Sequence, residues 1–259
     1  MREVNAALTI AYRDVTKFLR DRTRMIFTFV FPFLFIGVLG SSLQSNLGPQ
    51  IGYNFLTFVF TGVIGQALFQ STASGIISLI EDRTNDFSQE IFVSPISRYT
   101  IIIGKILGES IVSLSQVIGI VIFGYLVGAE ISLPQLISLI PVGIVACLLG
   151  GAFGIIVLAN LSSERSANQV FPFLMFPQFF LAGVFNPIKK LPLLLDILSR
   201  ISPMRYAVDF IRGVYYWGRP EYDKVVLLSP ISNLLIITAM FVAFLFLGTF
   251  LFVRNERNR

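Results

Sequence analysis

The sequence has 259 residues, of which 54% are hydrophobic and 14% charged; soluble domains carry about 25% charged residues, so this composition excludes an ordinary soluble domain and predicts an integral membrane protein. The net charge of +5 comes from basic residues that flank apolar runs, which indicates contact with anionic lipid and not with nucleic acid. There is no His, and Cys147 is the only Cys, so we predict neither a catalytic site nor a metal site.

Residues 3–24 have the pattern of an amphipathic helix. The basic residues Arg13, Lys17, Arg20 and Arg24 share one side of this helix. Apolar residues recur at helical spacing on the other side: Val4, Leu8, Ala11, Tyr12, Val15, Phe18 and Leu19. Such a helix lies in the plane of the lipid headgroups with its apolar side in the bilayer, so we predict an interfacial helix.

Six apolar stretches follow, each long enough to cross a bilayer, because about 20 helical residues cover a hydrocarbon core of roughly 30 Å. The predicted spans are residues 25–43, 55–80, 99–127, 134–159, 167–185 and 225–253. The sequence therefore predicts an all-α membrane protein whose residues 1–259 form a single transmembrane domain.

The basic residues orient these spans. With the N-terminus inside, the loops that lie outside at 44–54 and around Glu130 contain no Lys or Arg, as the positive-inside rule requires. The rule is strained at 186–224, which also lies outside and yet carries Lys189, Lys190, Arg200, Arg205, Arg212, Arg219 and Lys224. We predict that both termini are cytoplasmic and that the protein lies in the cell (inner or plasma) membrane.

Residues 81–98 form a polar interruption between the second and third spans. Phe87 and Ile91 give it a small apolar face at helical spacing, and Pro95 ends the helical stretch. The residues alone leave two interpretations open, a helix that contacts a soluble partner and an ordinary solvated loop.

Polar side chains recur inside the predicted spans, at every fourth position in the second. Because polar groups inside a bilayer are costly unless satisfied, they gather where helices meet or where a pathway runs, and both interpretations stay open. The candidate pathway residues are Gln66, Gln70, Ser74, Ser113, Gln116 and Gln178.

Small residues four positions apart predict close helix packing in two spans. They are Gly104 and Gly108 in the third span, and Ala146, Gly150 and Gly154 in the fourth. Lys105 and Glu109 lie one helical turn apart beside the first of these pairs. We expect them to form an ion pair, and a proton relay through Glu109 is the alternative.

The segment 187–217 contains two short helices by its pattern. Ser202 and Pro203 make a good start for the second helix. Its residues Arg205, Asp209 and Arg212 lie at spacings that let them pair with one another, and so many charges make a lipid-spanning helix costly. We predict a re-entrant helical hairpin before the last span, with two helices lying flat on the membrane as the alternative.

Three stretches of the sequence resemble the ABC-2 family of ABC exporter permeases. They are residues 88–98 followed by Gly104-Lys105-Ile106, residues 171–187 followed by Leu191-Pro192, and residues 202–213. The last stretch corresponds to the asparagine-proline-leucine-threonine-tyrosine segment of the family. Here it reads Ser202-Pro203-Met204-Arg205-Tyr206, so it departs from the family pattern at its first, third and fourth positions.

The resemblance implies a fold and a set of partners. It implies six spans, an amphipathic connecting helix at 3–24, a cytoplasmic coupling helix at 82–97 and outer re-entrant helices at 187–217. It also implies that two permease subunits, identical or different, work in the lipid membrane with two cytoplasmic ABC ATPase subunits. The sequence contains no GxxxxGK[ST] phosphate loop, so we expect no enzyme activity and no cofactor in this chain, with ATP and Mg bound by the partner ATPase.

The function predicted from these features is the membrane half of an ATP-driven exporter for a hydrophobic, amphiphilic or lipid-linked substrate, which leaves the cytoplasm or the inner leaflet. The residues assigned to ATPase coupling are Asp86, Phe87, Glu90, Ile91 and Phe92. The residues assigned to the outer gate are Arg205, Tyr206, Asp209 and Arg212. A membrane scaffold or receptor without transport activity is the alternative, and a secondary transporter is disfavoured because the spans lack an array of acidic residues.

Overall fold

The computed structural model describes residues 2–77, 79, 97–161 and 163–257, and all regular structure within these ranges is helical. The helices are α1 (Arg2–Arg20), α2 (Arg22–Pro32), a π-helical segment (Phe33–Gly40), α3 (Ser41–Ile51), α4 (Phe55–Ile77), α5 (Arg98–Val127), α6 (Leu133–Ala159), α7 (Glu164–Leu181), α8 (Leu193–Ile201), α9 (Pro203–Tyr215), α10 (Tyr222–Val225) and α11 (Pro230–Arg257). The predicted all-helical class is confirmed.

Five helical stretches of the described chain are long and apolar enough to cross a membrane. They are Thr28–Asn46, Phe55–Ile77, Tyr99–Val127, Leu133–Ala159 and Tyr222–Leu251, and each overlaps one of the six predicted spans. The sixth prediction, 167–185, falls on α7, which has 18 residues and contains Pro172 and Pro177. Its first turns are polar, so α7 does not have the continuous apolar length of the other five.

Local signals in the sequence set the helix ends. The Ser97 hydroxyl accepts a hydrogen bond from the Thr100 N–H at 3.1 Å and caps the start of α5. At the end of α5, Gly128 has a φ of +95°, a left-handed conformation in which glycine is strongly favoured. The start of α6 has a capping box formed by Ser132 and Gln135. These caps fix where α5 begins and ends and where α6 begins.

The centre of the bundle is α4, which packs against α5, α6 and α9, while α11 packs against α6 and α9. The contact of α4 with α6 depends on small residues. A Cβ added at Gly150 would lie 2.2 Å from the Phe69 carbonyl oxygen, and one at Gly154 would lie 2.6 Å from the Ala73 carbonyl oxygen. The predicted close packing of the fourth span is therefore confirmed, and its partner is the backbone of α4.

Replacing Gly150 with alanine is expected to lower the free energy of unfolding by roughly 1–3 kcal/mol, because the added methyl group meets backbone that cannot move aside. Thermal unfolding of the purified protein in detergent measures the effect. Gly143→Ala in the same helix is the matched control, since its Cβ would meet only the side-chain ends of Leu114 and Leu68 at 3.3 Å. Equal stability of the two variants would contradict the close packing of α4 and α6.

The helix α1 packs along the first half of α5. A Cβ at Gly104 would lie 2.9 Å from the Cα of Ala7, and one at Gly108 would lie 2.9 Å from the Cα of Ala11. The small pair of the third span thus serves close packing as predicted, but its partner is α1 and not another span.

The predicted apolar side of α1 is divided into two faces. One face, with Ala11 and Phe18, is buried. The other is an apolar stripe that stays exposed, and we call its residues Val4, Leu8, Tyr12 and Leu19 the α1 stripe. Val4, Leu8 and Tyr12 follow one another at one helical turn, and Leu19 lies two turns after Tyr12, so all four share one face of α1.

Three loops meet at one end of the bundle. The Arg219 guanidinium lies 2.9 Å from the Glu130 carboxylate, and Asn54 donates a hydrogen bond to the same carboxylate at 3.2 Å. The Lys224 ammonium donates to the Gly52 carbonyl oxygen at 2.9 Å. Because α4 and α5 run in opposite directions, the start of α5 and the helix α1 lie at the other end.

Candidate functional site

A cleft of about 230 Å³ opens between α2, α4 and α5. Its lining combines amide, hydroxyl and apolar side chains and, within the described chain, no charged side chain. The lining residues are Thr28, Phe31, Pro32, Gln66, Ala67, Gln70, Ser71, Ser74 and Gln116. We call this the polar cleft.

The protein satisfies the amides of the polar cleft only in part. Gln66 is only 4% exposed, and its Nε2 donates a hydrogen bond to the Gln70 Oε1. The Gln66 Oε1 is buried without a hydrogen-bond partner. Gln116 is equally buried, and its side chain makes no hydrogen bond within the described ranges. Since buried polar groups are nearly always hydrogen-bonded, these amides are available to a molecule that enters the cleft.

The structure brings together four of the six candidate pathway residues, namely Gln66, Gln70, Ser74 and Gln116. Ser113 is not in the cleft lining: its hydroxyl donates to the Glu109 carbonyl oxygen at 2.7 Å and lies 3.0 Å from the Thr72 hydroxyl. Gln178 lies under the start of α9, where its Oε1 accepts from the Ser202 hydroxyl at 3.1 Å.

The residues assigned to the outer gate are all buried, but the pairing expected among Arg205, Asp209 and Arg212 is wrong. No ion pair joins these three residues, and each bonds to a different neighbour. Arg205 donates to the Ser199 hydroxyl at 2.9 Å, and the Tyr206 hydroxyl donates to the Arg200 carbonyl oxygen at 2.7 Å. These two contacts fasten α9 to α8.

Asp209 joins α9 to the start of α11. Its carboxylate accepts hydrogen bonds of 2.8 Å from the backbone N–H groups of Leu227 and Leu228 and from the Asn233 amide. Burial raises the pKa of the Asp209 carboxyl, and these three hydrogen bonds oppose the rise. Asp209 thus satisfies two backbone donors just before α11 begins.

Arg212 joins α9 to α4 and to the chain that follows α7. Its Nη2 donates to the carbonyl oxygens of Phe58 and Val184, both at 3.1 Å, and its guanidinium lies 3.7 Å from the centre of the Phe58 ring. Gly62 makes room for this arrangement, because a Cβ there would lie 2.6 Å from the Arg212 Nη2. The cation–π contact and the two carbonyls together hold the buried charge.

The structure gives bonding partners to several of the basic residues at 186–224 that conflict with the positive-inside rule. Arg205, Arg212, Arg219 and Lys224 each bond to a carbonyl, a hydroxyl or a carboxylate of a neighbouring element. Sequence reasoning missed these roles because most acceptors are backbone carbonyls or lie far away in the chain. The pattern that could have drawn attention to them is the presence of basic residues in a segment where the positive-inside rule disfavours them.

A buried ion cluster joins α1 to α5 at the opposite end of the bundle. The Lys105 Nζ lies 2.9 Å from the Asp14 Oδ2 and 3.7 Å from the Glu109 Oε1, and all three side chains are buried. The predicted pair of Lys105 with Glu109 is confirmed, but the closer partner, Asp14, was missed. Asp14 lies on the same face of α1 as Ala11 and Phe18, which was the available signal.

The family model described as the ABC-2 type transporter matches residues 5–216. The chain belongs to the ABC-2 type transporter family. The sequence is 29% identical over 166 residues to the putative transport permease ycf38 of Cyanophora paradoxa. This alignment covers 62% of this chain and 57% of the relative. It is 27% identical over 168 residues to the probable multidrug ABC transporter permease YbhR of Escherichia coli strain K12, covering 63% and 44%. The matched regions span about half the length of these curated relatives.

Membership of the ABC-2 family confirms the resemblance seen in the sequence. Together with the apolar helices described above, it identifies the chain as a multi-pass membrane protein. The matched region contains the polar cleft, the ion cluster of Lys105 and the whole of α9. The residues that Asp209 binds at the start of α11 lie beyond it.

The predicted ATPase-coupling residues of this ABC-2 family member lie outside the described residues. They are Asp86, Phe87, Glu90, Ile91 and Phe92. The structure does describe Ser97, directly after the predicted coupling helix, and its N–H lies 3.4 Å from the carboxylate of Glu3 in α1. The start of α1 therefore lies next to the point where the chain enters α5.

Proposed function

We propose that the chain is the transmembrane permease subunit of an ATP-driven ABC exporter, which moves a hydrophobic, amphiphilic or lipid-linked substrate out of the cytoplasm or the inner leaflet. The observation that carries this proposal is the polar cleft, because its buried Gln66 Oε1 lacks a hydrogen-bond partner in the described protein and a transported molecule can supply one. Membership of the ABC-2 family and the similarity to two relatives that are named as permeases support it.

The energy for transport comes from partner subunits in this proposal. The sequence contains no GxxxxGK[ST] loop, so two cytoplasmic ABC ATPase subunits bind and hydrolyse ATP with Mg. A second permease subunit, identical or different, completes the pathway through the membrane. A surface suited to a second permease exists on α7, where Phe173, Phe176 and Phe180 are exposed.

The proposed topology has six spans and both termini in the cytoplasm of the cell membrane. The short helix α7 is the fifth span. It ends at Leu181, so the proposed outer segment begins soon after this residue. The α8–α9 hairpin enters the outer leaflet without crossing it. Support comes from α8, whose Leu193, Leu194 and Ile201 are exposed, while α9 is fastened to α4 through Arg212.

The proposed position of α1 is at the cytoplasmic interface, with the α1 stripe in the lipid. Support comes from the exposure of this stripe and from Arg13 and Lys17, which lie away from it around the helix. The coupling helix, 82–97, docks in the ATPase. Its polar contacts are those of Asp86 and Glu90, and its apolar contacts are those of Phe87, Ile91 and Phe92. Movement of the ATPase reaches α4 and α5, which this segment connects.

Replacing Glu90 with lysine is expected to reduce co-purification of the ATPase about tenfold, because the reversed charge disfavours docking. ATP-driven transport should fall in parallel. The measurement compares the ratio of ATPase to permease after affinity purification, and uptake of substrate into inverted vesicles.

Glu256→Lys is the matched control for this substitution, because it makes the same change of charge in another predicted cytoplasmic segment. Unchanged association and transport in Glu90→Lys would remove Glu90 from the docking surface. A permease that never associates with an ATPase would overturn the proposed function itself.

A further inference from the structure

We propose that the substrate of this permease is an amphiphile with an uncharged headgroup rich in hydroxyl or amide groups. The headgroup binds in the polar cleft, and an apolar chain of the same molecule lies in a neighbouring groove. This inference rests on the proposed function, since it names the class of molecule that the exporter carries.

The apolar groove has a volume of about 280 Å³. It lies between α5 and the residues around Pro32, where α2 ends. Its walls include Phe29 and Phe33 on one side and Gly119, Ile122 and Phe123 on the other. Pro32 lines both the groove and the polar cleft. The two spaces therefore border each other at Pro32, and we place the two unlike halves of one molecule in them.

The chemistry of the polar cleft selects an uncharged headgroup. Its described lining carries no side chain that could neutralise a phosphate or an ammonium, and an unpaired charge among membrane helices is costly. The lining offers amides and hydroxyls instead, which suit hydroxyl and amide groups.

The unpaired side-chain oxygen of Gln66 further restricts the chemical class of the headgroup. The buried Gln66 Oε1 can only accept a hydrogen bond, so its partner must bring an O–H or N–H donor. A fully ionised phosphate has acceptors only, whereas each sugar hydroxyl both donates and accepts. Gln116, on the opposite wall, can accept and donate to the same headgroup. A glycosyl or similar polyhydroxyl group meets these requirements.

The order of the two spaces along the helices agrees with an amphiphile in a leaflet. The polar cleft includes Ser74, near the end of α4, and this end of the bundle carries α1. The groove extends along α5 past Gly119 to Leu126, toward the opposite end. A lipid with its headgroup near the surface on which α1 lies would point its chain in the same direction as the groove.

Photolabelling of the full-length permease in nanodiscs tests the proposal. The probe is a monoglucosyl diacylglycerol with a diazirine in one acyl chain, and mass spectrometry locates the labelled peptide. We expect labelling between Gly119 and Leu126 and around Phe29. Unlabelled monoglucosyl diacylglycerol should suppress it, whereas phosphatidylglycerol with the same chains should not.

Substitutions in the cleft give a second measurement. Gln66→Leu combined with Gln116→Leu should lower the labelling of the groove about tenfold, because the headgroup loses hydrogen bonds to buried partners. Gln169→Leu is the matched control, since Gln169 is exposed on α7 away from the cleft and should label as the wild type does. The competition series with the wild-type protein needs no variant, so it decides the proposal even if the double variant does not fold.

Equal competition by phosphatidylglycerol, or labelling spread evenly over the lipid-facing helices, would overturn the proposal. ATP hydrolysis by the assembled transporter separates this failure from that of the exporter function. Hydrolysis stimulated by phosphatidylglycerol and not by monoglucosyl diacylglycerol refutes the headgroup class while the exporter function stands. Specific labelling of the groove in a permease that assembles with no ATPase supports the binding site and refutes the exporter function.

Discussion

Replacing Lys105 with methionine is expected to lower the free energy of unfolding by roughly 3–5 kcal/mol, because a buried ion pair that loses one partner leaves the other charge uncompensated. Asp14 and Glu109 would then face each other without the intervening ammonium, 2.9 and 3.7 Å from its present position. Thermal unfolding in detergent measures the loss. Limited proteolysis after the exposed residues of α1 reports whether α1 detaches from α5.

Two further variants define the cause of this loss. Lys190→Met removes an exposed lysine and should leave the stability unchanged. Combining Lys105→Met with Asp14→Asn and Glu109→Gln removes every charge of the cluster and should recover most of the lost stability. If Lys105→Met unfolds at the wild-type temperature, the cluster is not buried as the structure shows.

Asp209→Ala should lower the free energy of unfolding by about 3–5 kcal/mol, since hydrogen bonds to a buried carboxylate are strong and their loss leaves donors unsatisfied. The affected donors are the N–H groups of Leu227 and Leu228 and the Asn233 amide. Hydrogen exchange at Leu227 and Leu228 should accelerate more than exchange in the middle of α4, because the damage begins at the start of α11.

The matched control is Asp223→Ala, which removes an exposed carboxylate from the same segment and should change neither stability nor exchange. Asp209→Asn should fall between the two, because the amide oxygen can still accept a backbone N–H while the charge is gone. Unchanged exchange at Leu227 in Asp209→Ala would show that this carboxylate does not hold the start of α11.

The sequence predicted the features that depend on neighbouring residues. Five apolar runs became long helices because run length and hydropathy are local properties. Gly150 and Gly154 were assigned to close packing from their spacing alone, and the Lys105–Glu109 pair was found because its members are one turn apart. Gln66, Gln70 and Ser74 share one cleft because they lie on one face of α4.

The features that the sequence did not predict depend on contacts between distant residues. Asp14 is the closer partner of Lys105. The two residues are far apart in the sequence, because Asp14 lies in α1 and Lys105 in α5. Arg212 was expected to pair with Asp209 and instead bonds to the carbonyls of Phe58 and Val184. Backbone carbonyls exist at every position, so no pattern of side chains indicates which of them a buried guanidinium will meet. The roles of Asp86 and Glu90 stay predictions.

Because α1 is packed against α5, deformation of the bilayer would contribute to the free-energy difference between conformations of the protein. Backbone contact at Gly104 and Gly108 and the Asp14–Lys105 ion pair oblige the two helices to tilt as one rigid body. In the proposed position, with the α1 stripe in lipid, a tilt of α5 would change how much leucine and tyrosine surface is immersed, and the bilayer would deform to match. Hydrocarbon thickness and lateral tension would then bias the conformations of this permease directly, without a lipid bound at any defined site.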